Sequence, residues 1–140
     1  MIIGGLAFAA ATAFAAAAVY VNFAEQPARL ALDHKPMLVQ WQESYKRAAI
    51  MQASLALVAC VLGVVAYFIS HDWRWLVGAA LSIASWPWTL VVIKPVNDAL
   101  MTTAANAANK KTRELVERWG GLHAVRSALG LAAAWFICGR

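Results

Sequence analysis

Three residues toward the C-terminal end of this 140-residue sequence carry most of its capacity for chemistry. Trp119, His123 and Arg126 recur at i, i+4 and i+7, which places an indole, an imidazole and a guanidinium on one face of a helix. An imidazole can take up and return a proton near neutral pH, and a guanidinium can stabilise an oxyanion as it develops. Trp41 and Tyr45, spaced i, i+4, supply a second aromatic face that carries a hydroxyl. Asn22 and Asn97 add two amides. His, Arg, Tyr, two Asn and several Trp brought to one depth would form a pocket for a flat, oxygen-bearing molecule. Two blander readings compete: Arg126 snorkelling to headgroups or pairing with Glu25 or Asp98, and His123 as a satisfied interfacial histidine.

The elements that must position these residues follow from composition. The sequence is 62% hydrophobic and 14% charged, against about 45–50% and about 25% in soluble domains, so a water-soluble globule and a disordered tail are both disfavoured. Spans are expected over about 2–24, 48–70, 75–95 and 120–139 in a single membrane domain. The first has no charge before Glu25 and lacks the basic n-region of a signal peptide. Gly5, Ala9, Ala13 and Ala17 give it either a small-residue stripe that a neighbouring helix could approach, as in a homo-oligomer, or simply the chance recurrence of Ala in an Ala-rich helix. The last apolar run, Ser127 to Gly139, is too short to cross and must recruit Leu122, His123 and Arg126, drawing an imidazole and a guanidinium below the lipid surface.

The expected fold is therefore all-α, a four-transmembrane-helix bundle. His71 to Arg74 forms a hairpin turn between spans two and three, and Pro87 kinks span three, with packed neighbours or Thr89 compensating the lost hydrogen bond. Asn97 to Trp119 alternates Leu100, Met101, Ala104, Ala105, Ala108 and Leu115 with polar residues, which predicts an interfacial amphipathic helix between spans three and four. Arg113 with Glu117 and Glu114 with Arg118 are spaced as ion pairs on its polar face. Ten of the twelve Lys and Arg residues flank the two long connections, leaving Arg74 and Arg140 opposite. That asymmetry predicts long connections in the cytoplasm and both termini outside, in a bacterial inner membrane. An internal echo accompanies it. Asn22 and Pro27 precede Trp41, Tyr45 and Arg47 much as Pro95 and Asn97 precede Trp119, His123 and Arg126, as in two parallel helical hairpins, or simply as in any four-span chain with polar residues and Trp at its interfaces.

Several classes of function find no support. The net charge of +5 is explained by topology and anionic lipid, and no basic stripe interleaves exposed aromatics as nucleic-acid binding requires. Cys60 and Cys138 lie in separate apolar runs and form neither a disulfide framework nor a CxxC site. His71 belongs to the side opposite His34 and His123, so no metal set is expected. There is no GxGxxG, P-loop or serine elbow.

The run from Arg118 to Arg126 (Arg-Trp-Gly-Gly-Leu-His-Ala-Val-Arg), with Asn22 and Pro27, Trp41, and Pro95 with Asn97, resembles the anthrone oxygenase-like family of small four-helix membrane proteins, a family also described as a domain of unknown function. The resemblance implies oxidation of an anthrone to an anthraquinone by O2 without metal or flavin. The partners it implies are a small aromatic substrate, O2 and membrane lipid. On that reading His123 is the base, Arg126 the oxyanion partner, Asn22 and Asn97 orienting amides, and Trp41, Trp119 and Tyr45 walls or a proton relay, with Tyr45 singled out by the internal echo rather than the motif. The alternative is a non-catalytic membrane protein that binds a lipid or amphiphile or serves as an assembly partner. A small exporter would need ionisable residues at several depths, and Gln52, Ser54, Ser82 and Ser85 are too mild to provide them.

Overall fold

The computed structural model describes residues 1–139. Arg140, one of the two basic residues assigned to the outer side, lies outside the described residues. Four helices are long and apolar enough to cross a membrane: α1 (Ile2–Leu30), α2 (His34–Ser70), α3 (Arg74–Thr102) and α4 (Lys110–Cys138). Among the described residues there is no strand. Each helix packs along two others, α1 on α2 and α4, α3 on α2 and α4, so the bundle is a square with α1 diagonal to α3.

At 29 to 37 residues each, the helices exceed the roughly 20 needed to cross the hydrocarbon. The surplus turns stand at the end carrying the long connections. There lies the main departure from the sequence reading. The amphipathic connection is not a separate interfacial helix: Leu100 and Met101 ride on the end of α3, Leu115 on the start of α4, and only a short segment with one 3₁₀ turn (Ala105–Ala107) intervenes. Its apolar residues have a better partner than the lipid surface, because Leu100 and Val116 join Met37, Leu38 and Trp41 in one buried cluster. The Asn109–Thr112 capping box starts α4, satisfying backbone donors that a helix start leaves open. Arg113 does not pair with Glu117. It donates to the carbonyls of Leu30 and Leu32, tying the end of α1 to the start of α4.

The helices approach closely through small residues. On α1 the packed face is Gly4, Ala7, Ala11, Ala15 and Ala18, while Gly5, Ala9 and Ala13 point outward. A Cβ added to Gly130 would stand 3.0 Å from the Ala15 backbone Cα and 3.1 Å from the Phe14 ring, whereas one added to Gly121 would meet nothing within 4 Å. Gly130→Ala is therefore expected to cost about 1–3 kcal/mol by overpacking, and Gly121→Ala to be neutral or to gain up to about 1 kcal/mol from helix propensity. Thermal melting of the two variants in detergent checks this; equal shifts of the same sign would contradict the packing described.

Two π-helical turns interrupt the α geometry, Val21–Glu25 in α1 and Thr89–Ile93 in α3. Each is followed two residues later by a proline, Pro27 and Pro95. A proline ring clashes with the carbonyl four residues before it, here Phe23 and Val91, and widening the turn relieves that clash. The internal echo thus has a backbone counterpart. Both turns lie at the same end of the bundle, and one of them carries Asn22.

Candidate functional site

The site is built where α4 crosses that end. His123 and Arg126 are 2% and 7% exposed and turn toward the other helices. Neither pairing foreseen for Arg126 forms, because Glu25 bonds Arg29 at 3.1 Å and Asp98 bonds Lys94 at 2.6 Å. The Arg126 guanidinium lies 5.9 Å from the Phe14 ring, and its Nε has no hydrogen-bond partner among the described residues. A buried cation without a counter-ion among the described residues is costly to hold in a bundle.

Asn22 fixes the state of His123. Its Nδ2 donates to the Gly120 carbonyl at 2.8 Å, and its Oδ1 accepts from Ser127 Oγ at 2.8 Å and faces His123 Nδ1 at 2.7 Å. A carbonyl can only accept, so the amide orientation is settled and Nδ1 must carry the ring proton. The lone pair then sits on Nε2. That nitrogen faces Gln52 Oε1 at 3.4 Å, while Gln52 Nε2 is buried without a partner. Turning the Gln52 amide over would direct an N–H at the lone pair and satisfy both groups. With the Nδ1 proton held by Asn22, Nε2 is the ring nitrogen that faces Gln52 beside the small cavity.

Asn97 acts in the same way on the other aromatic pair. Trp119 Nε1 donates to Asn97 Oδ1 at 2.9 Å, which leaves Asn97 Nδ2 to donate to Tyr45 Oη at 3.0 Å. Tyr45 accepts that bond and keeps its own proton free to donate elsewhere. Trp41 stacks on Tyr45 (centroids 4.9 Å apart, planes 7° apart) and Trp119 on His123 (4.8 Å, 29°), with Trp41 and Trp119 edge to face at 5.7 Å. The seven residues named from the sequence therefore meet in one cluster, in two crossed sets: Asn22 with His123, and Asn97 with Tyr45 and Trp119. Arg126 stands beside both sets.

The aromatic rings differ from expectation in one respect. They stack on one another instead of facing an open slot, and Trp41 is fully buried behind Tyr45. The space left beside Tyr45, Gln52, Asn97, Trp119, His123 and Arg126 is about 20 Å³, room for one molecule the size of water or dioxygen. A second space of about 260 Å³ adjoins it, sharing Ala49, Thr89 and Arg126 as lining residues. Thr89 does not compensate the hydrogen bond lost at Pro87; its Oγ1 is buried without a partner among the described residues, and the residue lines both spaces.

Sequence reasoning missed Gln52, Ser127, Thr89 and Arg29. Gln52 lies seven residues beyond Tyr45 and Ser127 four beyond His123, so helical spacing from the residues already chosen points to both. Arg29 looked like a topology signal. It is 2% exposed, held by Glu25, Gln26 and Gln40, and stacks over Trp119 at 5.5 Å. Nothing in local spacing distinguishes such a buried cation from a surface one. Among the described residues no three His, Cys, Asp or Glu side chains are grouped so as to hold a metal ion.

Fold and site define a small four-helix membrane protein with a buried imidazole, guanidinium and paired amides at one end of the bundle. The family model described as "Anthrone oxygenase" matches residues 41–136, and the chain belongs to that family. A protein of Claviceps purpurea (strain 20.1), named anthrone oxygenase, is 33% identical over 114 residues, covering 70% of this chain. The match takes in 63% of the length of that relative. No solved structure matches the chain.

Proposed function

We propose that this protein is a membrane-embedded, cofactor-independent oxygenase that oxidises a planar hydroxyaromatic, anthrone-like substrate with O2. The observation that carries the reading is that Asn22 holds His123 by Nδ1 while His123 and Arg126, which has no ion pair among the described residues, line one small cavity. An anthrone carries a doubly benzylic CH2 opposite a ketone. Removal of one CH2 proton by His123 Nε2 gives an aromatic oxyanion, which Arg126 stabilises as its charge grows. That anion is electron-rich enough to pass one electron to O2, and the resulting radical and superoxide combine at the benzylic carbon. Return of the proton from His123 gives a hydroperoxide. Loss of the second benzylic proton with cleavage of the O–O bond forms the new carbonyl, and the departing hydroxide takes up a proton as water. One O2 is consumed per substrate, and the substrate supplies all four electrons.

Asn22 and Asn97 are positioning residues here, the first for the His123 tautomer and the second for Tyr45, whose free hydroxyl proton is available to the departing oxygen. Burial excludes bulk water from the oxyanion. The long connections face the cytoplasm by the distribution of Lys and Arg. Purified protein in detergent is expected to accelerate O2 uptake by 1,8-dihydroxyanthrone well above detergent alone; uptake no faster than the detergent blank would remove the proposal. A second reading, binding of a lipid or amphiphile without turnover, is favoured by the 260 Å³ space beside the unpaired Arg126, and the same blank result would favour it.

A further inference from the structure

The three-ring substrate of the proposed reaction does not fit in about 20 Å³, so it must lie elsewhere. The adjoining space of about 260 Å³ is lined by Ala49 and Ala53 of α2, Ser85, Trp86, Thr89 and Leu90 of α3, and Arg126 of α4, and comes close to the roughly 300 Å³ at which small-molecule pockets begin. It is apolar at its mouth, where Leu90 is 62% exposed on the face a bilayer would cover. Thr89 and Arg126 line both spaces, and each buries a polar atom, Oγ1 and Nε, that has no partner among the described residues. Ala49 and Ala53, one turn apart, leave the α2 wall flat. Trp86 forms one rim, its Nε1 donating to the Ala53 carbonyl at 3.3 Å and bridging α3 to α2.

We infer that this cleft between α2 and α3 is the substrate site, entered sideways from the bilayer by a flat apolar ring system with one ionisable oxygen, which docks at Arg126. The inference rests on the oxygenase reading for the identity of the ring but assigns a place and a route that reading leaves open. It also divides the labour of the two spaces: the ring occupies the cleft with its CH2 edge turned to the junction with the small cavity, where His123 reaches it and O2 is received. Arg126, lining both, holds the oxyanion at their junction.

The test uses 2-hydroxyanthraquinone, a redox-stable three-ring phenol whose anion absorbs at longer wavelength, with the full chain in detergent. Wild type is expected to bind it and to lower the pH at which the bound phenol ionises, because the guanidinium favours the phenolate. Arg126→Gln should abolish that lowering and weaken binding of the phenolate by the same factor, with less effect on the neutral phenol at low pH. Ala53→Phe, which fills the flat wall, should weaken binding at least tenfold, as should Leu90→Trp at the mouth. Melting of each variant shows which are folded, and the exposed Leu90 site keeps the test alive if Ala53→Phe fails. Wild-type affinity in a folded Ala53→Phe or Leu90→Trp, or an ionisation shift that survives in Arg126→Gln, would overturn the assignment. Anthrone-dependent O2 uptake, followed in parallel, separates the two claims. An unchanged KM for the anthrone in the cleft-filled variants sinks the cleft alone, whereas cleft binding with no uptake by wild type upholds the cleft and sinks the oxygenase.

Discussion

His123→Ala is expected to lower anthrone-dependent O2 uptake by about 10²–10⁴-fold, the range lost when a positioned acid–base group is removed. The loss should fall on kcat, because the imidazole lines the small cavity and not the cleft that would hold most of the ring, so it meets the substrate only at the reacting CH2 edge. Wild type should show a primary isotope effect with substrate deuterated at its CH2. The substitution leaves Asn22 anchored, since Gly120 and Ser127 still satisfy its amide, so the variant should fold and permit a fair comparison. His123→Gln restores shape and a polar contact without a usable base and should be no better than alanine. Full activity in a folded His123→Ala would take the imidazole out of the reaction and leave Tyr45 among the lining residues as the candidate proton acceptor.

Arg126 gives the second large effect, and it has two signs. Removing the cation from a developing oxyanion should cost about 10²–10³-fold in rate. Yet among the described residues the same side chain has no carboxylate partner and buries its Nε unsatisfied, so its replacement by Met strands no opposite charge there. Replacement even of a buried ion pair by apolar groups of similar volume is often neutral or stabilising by about 1–4 kcal/mol, and a buried charge without a counter-ion has less attraction to lose. Arg126→Met should therefore be nearly inactive and melt at the same temperature as wild type or higher. A melting temperature several degrees lower would mean that Arg126 serves the fold, and the case for a reserved cation would lapse. By contrast Arg29→Met, which strands Glu25 and abandons Gln26 and Gln40, should be destabilising.

These opposite expectations for two buried arginines mark the boundary of what could be read from sequence. The four apolar helices were legible because lipid imposes length and composition on each span. Inward placement of His123 and Arg126 followed from the same constraint, since the final apolar run cannot cross without them. The contacts around them were not legible, because they join positions about 100 residues apart: Asn22 to His123, and Asn22 to Ser127. Arg29 and Arg126 look alike in a charge count, and only the neighbours supplied by other helices show that one is paired and the other is not. The amphipathic connection misled for a related reason. A helical period in Leu100, Met101 and Leu115 fixes an apolar face but not its partner, and extension of α3 and α4 gave that face a protein core to bury against. The π turns were foreshadowed by Pro27 and Pro95, although a proline alone does not announce whether a helix will kink, end or widen.

The most direct test of the central claim is the stoichiometry of the reaction with chelator-treated, flavin-free protein and no added reductant, comparing wild type with His123→Ala. The account predicts one O2 consumed for each anthrone converted, at a rate proportional to wild-type protein and at the detergent-only rate with the variant. Acceleration that appears only when a metal, a flavin or an external reductant is supplied, or that is equal in the two proteins, would contradict it.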